Sequence, residues 1–213
     1  MFFRSLEKRC DGEYDTVIEA FEDGIRIGID AISEFGSPPL LLPSLPLLFS
    51  SFALFLHKQV GDHEKAEEMY KKGVEFMGWM ERERDKSRLC GNYALFLKKV
   101  RGESEVAEEM YRRAVREDPS NPTSLCNLAH FLNSTMGEEE EAMELFQASL
   151  RIDPKNIYCL CMYSKALRRQ GGRMGEAEII LKAALGVDQD HPMVLCNYGS
   201  FLAKVRKDLH SAR

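Results

Sequence analysis

Hydrophobic and small residues recur along most of the chain with a period of 35 residues. Residues 89–119 and 124–154 both show apolar residues at helical spacing, a turn with glycine, and then a second amphipathic run. Apolar residues three and four positions apart predict helices with one buried face. A repeat of this length predicts stacked two-helix units that bury their apolar faces against one another.

The first helix of each unit carries an aromatic or leucine residue, then a small residue, and ends in a large apolar one. The motif is found five times, at residues 52–56, 93–97, 128–132, 163–167 and 198–202. An alanine follows the small residue by thirteen positions in every copy, at Ala66, Ala107, Ala142, Ala177 and Ala212. This constant spacing predicts that the two helices of every unit are connected in the same way.

The second helix has a large residue four positions after its alanine and a small residue three positions further on, as in Ala107, Tyr111 and Ala114. These three positions share one face of a helix. The small residues let two helices approach closely, and the large side chain fills the space between them. The pattern predicts that all three are buried where the paired helices cross.

Prolines and glycines indicate where the helices begin and end. Asp-Pro pairs at 118–119 and 153–154 end second helices, while Pro122 and Pro192 suit the opening position of a first helix. Glycines that can adopt the left-handed conformation are expected at the turns within the units, at Gly61, Gly102, Gly137 and Gly171-Gly172.

One connection is longer than the others. Ala94 follows Ala66 by 28 residues, whereas the corresponding spacing is 22 in the three later cases. The six added residues fall near 78–85, which contains the only tryptophan, Trp79. The pattern predicts that the second helix of the first unit runs on by about one and a half turns. We expect Trp79 to pack against it, and the alternative is that Trp79 contacts a partner.

The N-terminal part follows the repeat only weakly. Residues 13–35 have apolar side chains at helical spacing and predict either a capping helix or a degenerate first unit. The apolar run 40–56 is broken by Pro43, Pro46 and three serines, which predicts a loop and a core helix, with no membrane span. The predicted organisation is a cap and linker over 1–46 and a repeat domain over 47–213, with units at about 50–78, 88–119, 123–154 and 157–190 and an incomplete unit at 193–213.

These features resemble the tetratricopeptide repeat family over about residues 50–213. The specific matches, with their equivalents in other units, are Ala94, Leu97, Ala107, Tyr111, Ala114 and Pro119. The chain departs from that family at Gln189 and Ser164, and in its period of 35 rather than roughly 34 residues. The resemblance implies an all-α, right-handed α-solenoid of stacked helix-turn-helix repeats. It also implies a non-catalytic scaffold or adaptor that binds a partner segment in its concave groove.

A row of asparagines lies on the face that the resemblance assigns to the groove. The aromatic, small and leucine positions define the buried arc of a first helix, so Asn92, Asn127 and Asn197 lie on the opposite arc. An amide offers donors and an acceptor to the backbone of an extended peptide. The open alternative is that each asparagine binds a neighbouring helix and only stabilises the stack.

Basic residues gather near the ends of the first helices, at Lys98, Lys99, Arg168, Arg169 and Lys204. Acidic residues gather at the starts of the second helices, and the helix dipole favours both placements. The functional alternative is a basic strip that binds an acidic peptide. Together with the three asparagines, these five residues form the predicted peptide-binding site.

Some members of the family hold a terminal carboxylate with a Lys/Asn pair in one repeat, Asn in the next and Lys/Arg in the third. Around Asn127, the preceding repeat of this chain offers Gly91 and Leu95, and the following one offers Tyr158 and Met162. The match fails, and this mode of binding is disfavoured.

The charge balance disfavours nucleic acid as the main partner. Lys and Arg number 29 against 34 Asp and Glu, a formal net charge of −5, whereas binding to nucleic acid depends on neutralising phosphates. A 35-residue period also suits the pentatricopeptide family of RNA-binding proteins. That family lacks the Ala-x-x-x-Tyr-x-x-Ala and Asp-Pro features, which leaves an RNA-binding helical-repeat protein as a lesser alternative.

Nothing in the sequence predicts catalysis, a cofactor or a metal site. Cys126 and His130 lie at helical spacing, as a pair without a second pair to complete a ligand set, and Cys159 and Cys161 are likewise alone. Three of the six cysteines recur every 35 residues, on helices expected roughly 8–10 Å apart and so beyond disulfide reach. We therefore expect reduced thiols and a cytoplasmic protein.

The last unit stops at Ala212-Arg213, where its second helix would begin. Half a unit leaves an apolar face uncovered. We therefore expect a fragment, a frayed end or a docked partner at this place. The alternative function is a structural subunit of a larger assembly, docked through this half unit and residues 40–48.

Overall fold

The computed structural model describes the backbone of residues 14–35 and 44–211, and the side chains of residues 14–34 and 44–205. Those residues form ten α-helices, with no strand among them. The prediction of an all-α fold built from helix-turn-helix repeats is confirmed. The chain divides into two compact units, Met1–Asp118 and Pro119–Arg213.

The first unit holds two helical hairpins and a preceding helix. Its helices are α1 Asp15–Phe35, α2 Leu45–Phe55, α3 His63–Glu75, α4 Glu83–Phe96 and α5 Ser104–Glu117. Helices α2 and α3 form the first hairpin, and α4 and α5 the second. Helix α1 packs on α2, where Phe21 stacks on Phe52 with ring centroids 4.8 Å apart.

The second unit holds two further hairpins and a final helix. Its helices are α6 Pro122–Phe131, α7 Glu139–Ile152, α8 Ile157–Arg169, α9 Met174–Val187 and α10 Pro192–Ser211. Helices α6 and α7 form the third hairpin, and α8 and α9 the fourth. Helix α10 contacts both α8 and α9, and its Val194 is buried in a cluster with Leu160, Cys161 and Ala184. Ala212 lies outside the described residues, and so does the predicted start of a last second helix.

The small-large-small pattern of the second helices lies in the core, as predicted. Ala107, Ala142 and Ala177 are fully buried. The large residues that follow them are also buried, and so are the small residues after those, namely Tyr111 and Ala114, Phe146 and Ser149, Leu181 and Ala184. Close contact at the crossing of the paired helices therefore accounts for the strict spacing of these residues.

Three of the first helices end in a π-helical turn. These turns are Leu56–Val60, Leu97–Arg101 and Leu132–Met136, and each ends at a glycine of positive φ. In the first, the Gly61 N–H donates to the carbonyl of Leu56 over 2.7 Å. A π turn holds an additional residue, and it lies where the 35-residue period has its additional residue, before the alanine of the second helix. The predicted glycine turns are confirmed, since Gly171 and Gly172 also have positive φ.

The long connection after the first hairpin does not extend α3. Helix α3 ends at Glu75, Phe76–Trp79 forms one 3₁₀ turn, and α4 begins early, at Glu83. The predicted continuation of the helix is therefore wrong. Phe76 and Trp79 pack against each other with centroids 4.8 Å apart. Met77 and Met80 are buried at 3% exposure, so the segment turns back on the core.

The described residues hold no helix suited to crossing a membrane, no disulfide and no group of metal ligands. None of them is long and apolar enough to cross a membrane. Five cysteines are unpaired thiols, of which Cys196 alone is exposed; Cys10 lies outside the described residues. In the part of the chain that is described, no three His, Cys, Asp or Glu side chains are grouped as metal ligands would be.

Candidate functional site

Asn92 and Asn127 lie on α4 and α6, in the first helix of the second and the third hairpin. Both side chains are half-buried. Neither makes a side-chain hydrogen bond to the described backbone or to the side chains of residues 14–34 and 44–205. Their amide donors and acceptors are therefore available to a ligand.

Asn197 on α10 behaves differently. Its Nδ2 donates to the carbonyl of Met193, one turn earlier in the same helix, over 2.8 Å. This is the local hydrogen bond that was the alternative to peptide binding. Of Asn92, Asn127 and Asn197, only Asn197 therefore follows the alternative of a bond within the helical stack.

Lys98 and Lys99 lie in the π-helical turn that follows α4. Lys98 is half-buried and Lys99 is exposed. Burial lowers the pKa of Lys98 below its usual value, and the neighbouring charge of Lys99 lowers it further. The two lysines form a compact basic end to the first helix of the second hairpin.

In the second unit, hydrogen bonds to backbone carbonyls hold two cations between α8 and α10. Arg168 donates from Nη1 to the carbonyl of Asn197 over 3.1 Å. Lys204 donates from Nζ to the carbonyl of Arg168 over 2.9 Å. Both acceptors are uncharged, so these bonds position the cations without neutralising them.

Four basic side chains surround a pocket in this region. Lys165, Arg168, Arg169 and Lys204 line an open space of about 450 Å³, called here the basic pocket. Among the side chains that the structure describes, which end at residue 205, none of the four forms an ion pair with a carboxylate. Other cations of the unit have such partners: Arg173 with Glu176, at 2.6 Å, and Lys182 with Glu178, at 2.8 Å.

The guanidinium of Arg168 is the least solvated of these groups. Its Nε is buried and has no hydrogen-bond partner among the described residues. Burial lowers the pKa of this guanidinium below its usual value. A guanidinium nevertheless stays charged in proteins, so the pocket contains a cation that has lost part of its solvation.

Lys165 is the member of the basic pocket that the sequence did not single out. It directly follows Ser164 and takes the register of Leu95 in the second hairpin. That register lies on the arc opposite the buried residues. The helical register could have identified Lys165, whereas its lack of an acidic partner could not be deduced from spacing.

One unit of the chain matches a known protein family. The family model described as tetratricopeptide repeat matches residues 122–156. The sequence matches none of the curated proteins with which it was compared.

Several solved structures share the fold. Pseudomonas aeruginosa PilF has 19% identity and a TM-score of 0.62, over 76% of this chain and 69% of that one. YrrB, a TPR protein with an unusual peptide-binding site, has 17% identity and a TM-score of 0.60, over 86% of each chain. The first TPR of Spaghetti (RPAP3), bound to an HSP90 peptide, has 14% identity and a TM-score of 0.51, over 58% of this chain and 98% of that one.

At these identities the structural likeness concerns the fold. The repeated hairpins, their buried small residues and the matched unit together define a helical-repeat protein. Within it, residues 122–156 match the tetratricopeptide repeat model, and the hairpins share the fold of solved tetratricopeptide repeat structures.

Proposed function

We propose that the chain is a non-catalytic protein-interaction module whose first helices bind a segment of a partner protein. One observation carries the proposal. The side-chain amides of Asn92 and Asn127 are half-buried and have no hydrogen-bond partner among the described side chains. An extended polypeptide supplies the backbone N–H and C=O groups that such amides can bind.

Two of the similar proteins support the proposal. YrrB has a peptide-binding site, and the first TPR of RPAP3 binds the HSP90 peptide SRMEEVD. Those are properties of these two proteins, and the low identity prevents a transfer of their contact residues. In this chain, the groups available to bind a peptide are its own amides and cations.

The charges of the first helices support an acidic segment as the ligand. Lys98 and Lys99 follow α4 in the first unit; in the second unit Arg168 and Arg169 end α8, and Lys204 lies on α10. Positive charges on a binding surface disfavour basic partners and accelerate the association of acidic ones. We therefore propose an acidic partner segment, which each unit contacts through its own residues.

The test compares a triple variant with a matched control. Asn92→Ala, Asn127→Ala and Asn197→Ala together should weaken the binding of peptides selected from a displayed random library. We expect a loss of about tenfold or more, because two or three hydrogen bonds of about 1 kcal/mol each are removed. The measurement is fluorescence anisotropy with labelled peptides, and circular dichroism checks that helicity is intact.

The control variant replaces three exposed glutamates of second helices by alanine, at Glu68, Glu109 and Glu144. It should bind the same peptides as well as the unmodified chain. Equal affinity of the asparagine variant and this control would contradict the proposal. An affinity for RNA that exceeds the peptide affinity and falls steeply with salt would favour the RNA-binding alternative instead.

A second candidate function is a structural subunit of a larger assembly. Leu195 and Leu202 lie two turns apart on α10, with 50% and 41% exposure, and Ile179 on α9 is 67% exposed. Leu195 and Leu202 are seven residues apart and so lie on one face of α10, and exposed apolar residues on one face favour a docked protein. Analytical ultracentrifugation tests this candidate, since a chain that stays monomeric at high concentration would contradict it.

The unpaired cysteines bear on the compartment. All five described cysteines are free thiols, and four of them are buried. Free thiols persist where glutathione and thioredoxin keep proteins reduced. We propose that the protein works in a reducing compartment such as the cytoplasm, which fractionation of the source cells would test.

A further inference from the structure

The basic pocket carries more positive charge than the helix dipole can balance. Four cations line it, and α8 ends beside it with its last turn at Arg168 and Arg169. The C-terminus of a helix supplies roughly half an elementary negative charge. The helix dipole can therefore offset only part of one of these charges, and the pocket keeps an excess of positive charge.

Two of the cations are held in fixed positions before any ligand arrives. Arg168 is bonded to the Asn197 carbonyl over 3.1 Å, and Lys204 to the Arg168 carbonyl over 2.9 Å. Each bond joins α8 to α10. Groups positioned in this way lose little conformational entropy when they bind a ligand.

Arg168 also has an unmet hydrogen-bonding requirement. Its Nε is buried without an acceptor among the described residues, while Nη1 is already bonded to the Asn197 carbonyl. A buried donor left in this way costs free energy. An anion that reaches Nε and Nη2 together, in the two-point geometry that guanidinium groups favour, would remove that cost after a small side-chain movement.

We propose that the basic pocket binds the phosphate of a phosphorylated side chain on a partner segment. A phosphate monoester carries about −1.5 to −2 charges and three strong acceptor oxygens. A single carboxylate carries one negative charge and would leave most of the pocket unbalanced. The inference rests on the proposed function in one respect, namely that the phosphate belongs to a polypeptide.

The first experiment tests the pocket without any peptide. O-phospho-L-serine is titrated into the full chain, and the side-chain Nε–H signal of Arg168 is followed by nuclear magnetic resonance. Arg168→Lys assigns that signal by removing it. We expect a saturable shift, with a dissociation constant on the order of 1 mM or below, and no shift with L-serine. Absence of a saturable shift would overturn the inference.

A charge-matched pair of variants separates local binding from general electrostatics. Arg169→Glu with Lys204→Glu changes the net charge as much as Arg151→Glu with Lys155→Glu, two exposed positions of the same unit. The first pair should reduce the affinity for O-phospho-L-serine at least tenfold, and the second should change it less than twofold. Equal losses in both variants would overturn the inference, because only overall charge would then matter.

The second experiment tests that the phosphate is carried by a polypeptide. Library-selected peptides are compared in phosphoserine, serine and glutamate versions at one position, with single-stranded RNA as a competitor. We expect the phosphoserine version to bind at least tenfold more tightly than the glutamate version, and only when the pocket is intact. Equal binding of phosphoserine and glutamate versions, or tighter binding of RNA, would overturn the assignment to a phosphorylated segment.

The two proposals fail in different ways. If O-phospho-L-serine binds normally while the triple asparagine variant keeps its full peptide affinity, the proposed function fails and the pocket remains an anion site. If the asparagine variant loses peptide affinity while Arg168 shows no shift, the phosphate site fails and the peptide face remains.

Discussion

The hydroxyl of Ser149 on α7 donates a hydrogen bond to the backbone carbonyl of Pro122 on α6, over 2.7 Å. Ser149 is fully buried and occupies the small position that alanine fills at Ala114 and Ala184. The crossing of the third hairpin therefore combines close packing with a polar bond between its helices, and the equivalent alanine positions have no side chain that could make one.

Ser149→Ala should lower the free energy of unfolding by about 0.5–1.5 kcal/mol, the usual net contribution of one hydrogen bond. The substitution leaves almost no cavity, because alanine already fits the equivalent sites. Urea denaturation measures the change, with Ser200→Ala on the exposed side of α10 as the control. A loss as large as that of a deleted core side chain would show that this explanation is incomplete.

Ala142→Leu should destabilise the third hairpin by about 1–3 kcal/mol, because the added side chain overpacks a crossing that has no free space. Ala142 has 0% exposure. Ala183→Leu, an exposed site on α9, adds the same atoms and should be close to neutral. Thermal denaturation of both variants gives the comparison, and equal melting temperatures would refute the close-packed crossing.

Two glycines in adjacent elements should respond to alanine in opposite directions. Gly102 has φ +73° at the end of a π-helical turn, so Gly102→Ala should cost about 1 kcal/mol. Gly91 lies inside α4, and an added Cβ would meet nothing within 4 Å. Gly91→Ala should therefore stabilise the chain by about 0.5–1 kcal/mol. Urea denaturation reports both signs, and a stabilising Gly102→Ala would contradict the left-handed turn.

The loss of stability at acidic pH should depend on the ionisation of Glu67. Hydrogen bonding to Lys71, and then to Arg101, holds the pKa of the Glu67 carboxyl below its usual value. A lowered pKa in the folded state means that the stabilisation is present above the unfolded value of about 4.3 and is lost as pH falls through the folded value.

Glu67→Gln should therefore flatten the fall in melting temperature as pH decreases below about 4.3. The matched control is Glu144→Gln on α7, a carboxylate without an ion pair among the described residues. Melting curves from neutral to acidic pH test the difference. If the melting temperature of Glu67→Gln falls as steeply with pH as that of the unmodified chain, the ion pairs of Glu67 with Lys71 and Arg101 are not the cause of that fall.

The hairpins could be predicted from the sequence because one physical requirement determines several residues at once. A close crossing of two helices needs small residues such as Ala107 and Ala114, with a large one such as Tyr111 between them. The turn needs a residue that tolerates positive φ, which is Gly102 in the second hairpin. These requirements repeat in every unit, so each copy supports the interpretation of the others.

The connection around Trp79 could not be predicted in the same way. Its polar stretch 81–84 is compatible with helix at either end, so the six added residues could lengthen α3 or α4. The side-chain contacts of Phe76 with Trp79, and the burial of Met77 and Met80, favour a 3₁₀ turn and an early start of α4. Such contacts depend on tertiary structure and have no periodic signature.

The candidate site was predictable only as a set of positions. Register identified the face that carries Asn92, Asn127 and Asn197, but not that Asn197 is bonded within its own helix. Likewise, the sequence showed basic residues beside Arg168 without showing which of them lack acidic partners. Hydrogen-bond partners are chosen by geometry among several neighbours, and spacing alone does not specify that choice.

The longer connection at Trp79 indicates where additional residues can be inserted into this protein. The path from the first helix to the second within a hairpin always takes thirteen residues from the small residue to the alanine, while the path to the next hairpin can take 22 or 28. Foreign peptides or reporter tags should therefore be tolerated at the joints after α3, α5, α7 and α9. The same insertions next to Gly61 or Gly102 should prevent the hairpin from closing.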